Sequence, residues 1–155
     1  MPKNLIAALS FLGFAALTMP TAYAQGSPEV IVRQGDTIEW VAVGPPPHRV
    51  RFGSPGTTPF AEVSALLEFT PTLTAGPGGE ADSPLAPTGT LLTAKVKDDA
   101  TPGKTFIFNC GVHPGGQMLS LPFTIATKVA GEQPRRHRIM GVTGLHWHLH
   151  IDTTP

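Results

Sequence analysis

Proline and glycine, seventeen of each in 155 residues, interrupt the chain so often that few long amphipathic runs survive. Inside a helix, proline removes a backbone donor and clashes with the preceding turn, while glycine carries an entropic cost. Short strands are therefore expected in place of long helices. The strands show as a period of two. Val30 and Val32 alternate with Ile31 and Arg33, and the Gln34-Gly35-Asp36 turn follows. Ile38, Trp40 and Ala42 then alternate with Thr37, Glu39 and Val41. Successive strand side chains point to opposite faces, so each run has at least one face to bury. After the stiff Gly44-Pro45-Pro46-Pro47 segment, His48, Val50 and Phe52 share one face while Arg49 and Arg51 take the other. Leu91 to Val96, Lys104 to Cys110 and Phe123 to Val129 continue the strand pattern, with Asp98 to Gly103 as a turn. Residues 53–89 differ: rich in Pro, Gly, Ser and Thr, they offer one short helix around Pro59 to Phe69. The expected fold is an all-β sandwich with one short helix or long loop inserted.

The amino terminus has one cation, Lys3, then an apolar run from Leu5 to Leu17, then Ala22-Tyr23-Ala24. That is the layout of a secretory signal peptide, with cleavage expected after Ala24. The run is shorter than the roughly 20 apolar residues of a spanning helix, so no membrane insertion is expected once the leader is removed. Expected organisation is thus 1–24 signal peptide, 25–129 sandwich domain and 130–155 a basic, histidine-containing extension. The mature 131 residues carry ten cations against eleven acids. Nucleic acid, which needs a surplus of Lys and Arg, is not expected as a partner.

Cys110 is the only cysteine, so it cannot close an internal disulfide. In an exported protein it is a free thiol, an intermolecular bridge or a metal ligand. Its surroundings read "FNCGVHPGGQML", which puts His113 three places and Met118 eight places after it. Burial as a small hydrophobe would explain Cys110 but neither His113 nor Met118. A catalytic Cys–His pair lacks a visible triad partner or oxyanion motif. Thiolate and thioether favour copper(I), and imidazole also accommodates copper(II). Two imidazoles, one thiolate and a weak axial thioether describe a blue-copper electron-transfer site. The second imidazole would come from His48, whose bland alternative is a surface or capping histidine after a proline turn.

Taken together, "EVIVRQGDTIEWV", "PPPHRVRF" and "TPGKTFIFNCGVHPGGQM" resemble the plastocyanin-like branch of the cupredoxins over roughly residues 28–128. The resemblance implies a Greek-key β-sandwich with one type 1 copper ion at one end. It also implies one-electron transfer to a redox partner protein by transient docking. A monomer is expected, and a single mature chain of 131 residues with one cysteine argues against an enzyme such as a copper oxidase or nitrite reductase. Carried over position by position, Cys110 is the thiolate, His48 and His113 the equatorial imidazoles, and Met118 the axial contact. Two positions depart from the family pattern. Arg49 stands where many relatives carry Asn, and Ser120 where they tend to carry Gly, so the surroundings of the ligands must be built differently.

The expected setting is periplasmic or otherwise extracytoplasmic. Electrons would pass through the edge of His113, with Pro114, Gly115, Gly116 and Pro45 to Pro47 forming a low-charge docking patch. A periplasmic copper-binding protein for storage, delivery or resistance is the alternative. In the tail, His146, His148 and His150 alternate with Leu145, Trp147, Leu149 and Ile151. This reads either as an amphipathic strand or as a second metal site, since residues i and i+2 of a strand lie about 6.8 Å apart on one face. The preceding "RRHR" reads as a solvated basic linker.

Overall fold

The computed structural model describes residues 29–112, 120, 122–142 and 147–150, with 141–142 and 147–150 described through their backbone alone. The expected signal peptide, His113, Met118, the 114–116 patch and His146 lie outside the described residues. Among the described residues, no helix is long and apolar enough to cross a membrane.

Eleven strands and one short helix make up the described chain. β1 (Val30–Arg33) and β2 (Thr37–His48) flank the Gly-Asp turn, where Gly35 takes a positive φ that side-chain-bearing residues avoid. β3 (Val50–Phe52) follows directly. The inserted region holds α1 (Phe60–Leu66), β4 (Leu67–Thr70) and β5 (Ala81–Asp82). β6 (Ala86–Val96), β7 (Thr105–Phe106), β8 (Asn109–Cys110) and β9 (Phe123–Ala126) come next. β10 (Arg136–Val142) and β11 (Trp147–His150) are the last elements among the described residues.

The strands form three sheets, ordered β1-β9-β7, β11-β10-β2-β6-β4 and β5-β3-β8. They face one another across a shared aromatic core. Trp40 of β2 meets Phe108 edge-on at 5.5 Å and Phe52 of β3 at 6.2 Å. Phe108 reaches Phe123 of β9 at 5.9 Å, and Phe123 stacks on Phe106 of β7 at 5.0 Å. Alternation explains why these rings meet, because Trp40, Phe52, Phe106, Phe108 and Phe123 all occupy inward positions and are fully buried.

Three expectations change. The helix stops at Leu66, and Leu67 to Thr70 become a strand paired with β6. In "LEFT", Leu67 and Phe69 are buried while Glu68 and Thr70 are exposed, a period of two hidden beside a helical one. The expected strand Lys104 to Cys110 divides into β7 and β8, which join different sheets. The "RRHR" stretch is not a solvated linker: it opens β10, which runs parallel to β2 from Arg136↔Thr37 to Val142↔Val43.

Asp36 explains the docking of β10. Its carboxylate accepts the backbone N–H of Arg33 and of Arg135, each at 2.8 Å, and lies 2.8 Å from His137 Nε2. Both Asp36 and His137 are only 3% exposed. One buried side chain thus closes the β1–β2 turn and fixes where β10 begins. Within the extension, residues 136–142 and 147–150 belong to the five-stranded central sheet.

Candidate metal centre

Two strand ends bring His48 and Cys110 together. The proline run at 45–47 cannot supply ladder donors, and the β2–β6 register slips there between Val43↔Thr88 and His48↔Ala86. Beyond the slip, alternation resumes with His48, Val50 and Phe52 inward. Val50 pairs with Cys110 across β3 and β8, so Cys110 shares the inward face next to His48. The result is a Cys110 Sγ to His48 Nδ1 distance of 3.9 Å, with Cys110 1% exposed and His48 fully buried.

That spacing suits a shared ion. Metal–sulfur and metal–nitrogen distances of about 2.3 and about 2.0–2.1 Å, as for zinc, at a trigonal angle separate the two donor atoms by about 3.8 Å. At 3.9 Å, a direct thiol–imidazole hydrogen bond would be long and weak. Of the four expected ligands, the structure brings together His48 and Cys110; His113 and Met118 lie outside the described residues. Among the described residues, no group of three or more His, Cys, Asp or Glu side chains could hold a metal. The backbone of His148 and His150 lies in β11, opposite Met140 and Arg138 of β10.

The chain on either side of the Cys110 loop is held firmly. Ser120 closes one end: its hydroxyl accepts the Phe108 N–H at 3.0 Å, and its own N–H donates to the Phe108 carbonyl at 2.7 Å. A glycine there would lack the side-chain bond. At the other end, the Gly111 N–H donates to the Arg49 carbonyl at 3.2 Å. Asn109, also buried, donates from its side-chain amide to Ser54 Oγ at 2.9 Å.

Behind the cysteine, the outer face of the β5-β3-β8 sheet carries a charged layer. Asp82 pairs in register with Arg51 and takes Arg51 Nε at 2.6 Å, Arg51 Nη2 at 2.7 Å and Arg49 Nη1 at 2.7 Å. Glu80 adds an ion pair with Arg51 at 3.4 Å. Burial pushes the Asp82 carboxyl up, but the two arginines outweigh it and hold its pKa below the ordinary value. The hydrogen bond to Asp82 in turn raises Arg51. Ser83 completes the attachment, its Oγ accepting the Val50 N–H at 2.9 Å.

This answers what the inserted region does. Its 76–83 segment pairs with the edge of β3, placing Ala81 in the core and Asp82 on the outer face. Close approach at Gly53 seals the contact: a Cβ there would sit 2.5 Å from the Gly79 carbonyl oxygen. Asp82 and Ser83 carried no signal in the sequence beyond a polar pair in a Pro/Gly-rich stretch.

No known protein family, curated protein or solved structure matches the chain.

Proposed function

We propose that this chain is an exported blue-copper protein of cupredoxin type, carrying single electrons through one mononuclear site. The reading takes the three sheets as a Greek-key β-sandwich. His48, Cys110 and His113 would be the equatorial ligands, with Met118 axial. The observation that carries it is the buried Cys110–His48 pair at 3.9 Å, formed by residues 62 apart in sequence at the ends of two strands.

When bound, copper would supply a one-electron couple between copper(I) and copper(II). The chain's own contribution is rigidity and shelter. His48 is fixed by alternation from β2 into β3, and Cys110 by its pairing with Val50. Burial of both keeps water and thiol oxidants from the sulfur. Beside the charged Arg49–Arg51–Asp82 layer, several exposed positions close to these two residues in the chain or in strand register are apolar. Pro45 and Pro46 are exposed, Leu85 precedes the residue paired with His48, and Val112 lies two places beyond Cys110. Such a patch suits a brief encounter with a redox partner, which uses a small interface.

The deciding experiment is a visible absorption spectrum of residues 25–155 after copper(II) addition, beside Cys110→Ala. The expected result is an intense blue band that a mild reductant bleaches and the variant lacks. A colourless protein that binds copper equally well without Cys110 would overturn the reading.

A further inference from the structure

The layer behind Cys110 raises a separate question: what sets the direction in which the chain leaves the cysteine toward His113 and Met118? Gly111 is the first residue of that path. Arg51 and Arg49 lie directly over it, for a Cβ on Gly111 would come 2.8 Å from Arg51 Nε and 2.9 Å from Arg49 Cδ. Both arginines are long and would sample many rotamers if unheld, at a side-chain entropy cost. Asp82 holds both. It grips Arg51 with two oxygens in a fork and draws Arg49 Nη1 to the same carboxylate. Side chains of all three are only about a quarter exposed, at 26–29%. Arg49 also receives the Gly111 N–H on its backbone carbonyl, so one residue touches Gly111 from within the sheet and from above it.

We propose that Asp82 is a positioning residue of the metal centre, which acts by pinning Arg49 and Arg51 across Gly111. The brace does, from the inserted region, the work that a small amide next to the first histidine does in proteins of the resembling family. Its influence on a bound metal rests on the blue-copper reading; its influence on the chain at Cys110 does not. Asp82 acts through the arginines.

The test uses the full mature chain, wild type and Asp82→Asn, with Asp82→Glu and Gly111→Ala as companions. In metal-free protein, alkylation of the Cys110 thiol by iodoacetamide should speed up by about tenfold or more in Asp82→Asn. Exposing a buried thiol needs local opening, and opening becomes easier once charged hydrogen bonds are gone. Asp82→Glu should recover much of the protection, whereas Gly111→Ala should mimic its loss by lifting the arginines. In copper-loaded protein, the visible band and the reduction potential of Asp82→Asn should both shift while cooperative unfolding is retained. Unchanged thiol reactivity in Asp82→Asn and Gly111→Ala would overturn the brace. So would a loss of stability with spectrum, potential and thiol rate all intact. If wild type shows no blue band, the copper reading fails by itself, and the thiol rates still decide whether Asp82 orders the chain at Cys110.

Discussion

Replacing Asp36 with asparagine should destabilise the fold by about 2–4 kcal/mol at neutral pH, and the penalty should shrink in acid. The carboxylate is 3% exposed and faces three groups: the N–H of Arg33, the N–H of Arg135 and His137 Nε2. Asparagine keeps the size and one carbonyl oxygen. Its amide, however, turns a donor toward a place where an acceptor is needed. One buried donor then loses its partner and another loses a charge-assisted bond, each costing about 1–3 kcal/mol. Stability of a domain this size is about 5–15 kcal/mol, so the variant still folds and can be measured.

The pH dependence follows from the direction of the shift. Burial alone raises the Asp36 pKa, but the hydrogen bonds from His137, Arg135 and Arg33 prevail and leave it below its ordinary value. A depressed carboxyl contributes its full stabilisation above the unfolded pKa of about 3.9 and loses it as pH falls through the folded value. Urea unfolding of wild type and Asp36→Asn at neutral pH and in acid reads both effects. A neutral-pH difference under about 0.5 kcal/mol, the scatter of ordinary surface substitutions, would refute the reasoning, as would a gap that acid leaves unchanged.

Other outcomes follow from the same contacts. Gly53→Ala should cost about 1–3 kcal/mol by thermal or urea unfolding, because φ there is +81° and the new methyl would collide with the Gly79 carbonyl. Pro46→Glu should slow electron transfer to a physiological partner while leaving the visible spectrum intact; an equal rate would reject the docking patch. Changing His146, His148 and His150 together to glutamine, with bound copper counted by elemental analysis, tests the tail: a stoichiometry that remains at one removes the second site.

Much of this arrangement was legible because strands advertise themselves locally. The inward set His48, Val50, Phe52 and the set Phe106, Phe108, Cys110 could be read from alternation alone, and both are buried. What local pattern could not reveal was pairing across the chain. His137, among three arginines, reads as solvated until its partner is known, and that partner lies 101 residues upstream. An alternating signal did exist, since buried His137 and Ile139 alternate with more exposed Arg136 and Arg138. The charges masked it. Asp82 was illegible for the same reason: its importance depends on which strand β5 joins, and a two-residue strand leaves no period to read.

The parallel pairing of β10 with β2 also bears on the order in which the molecule can be finished. β2 begins at Thr37, yet one of its two neighbours is not made until Arg136 to Val142 have been synthesised. Until then one edge of β2 has unpaired backbone groups beside a run of apolar side chains, which is a template for joining another chain. The chain must therefore be delivered through Val142 before the central sheet can close. A chain stopped short of Arg136 would lose more than an appendage: it would leave an adhesive edge at the middle of the fold.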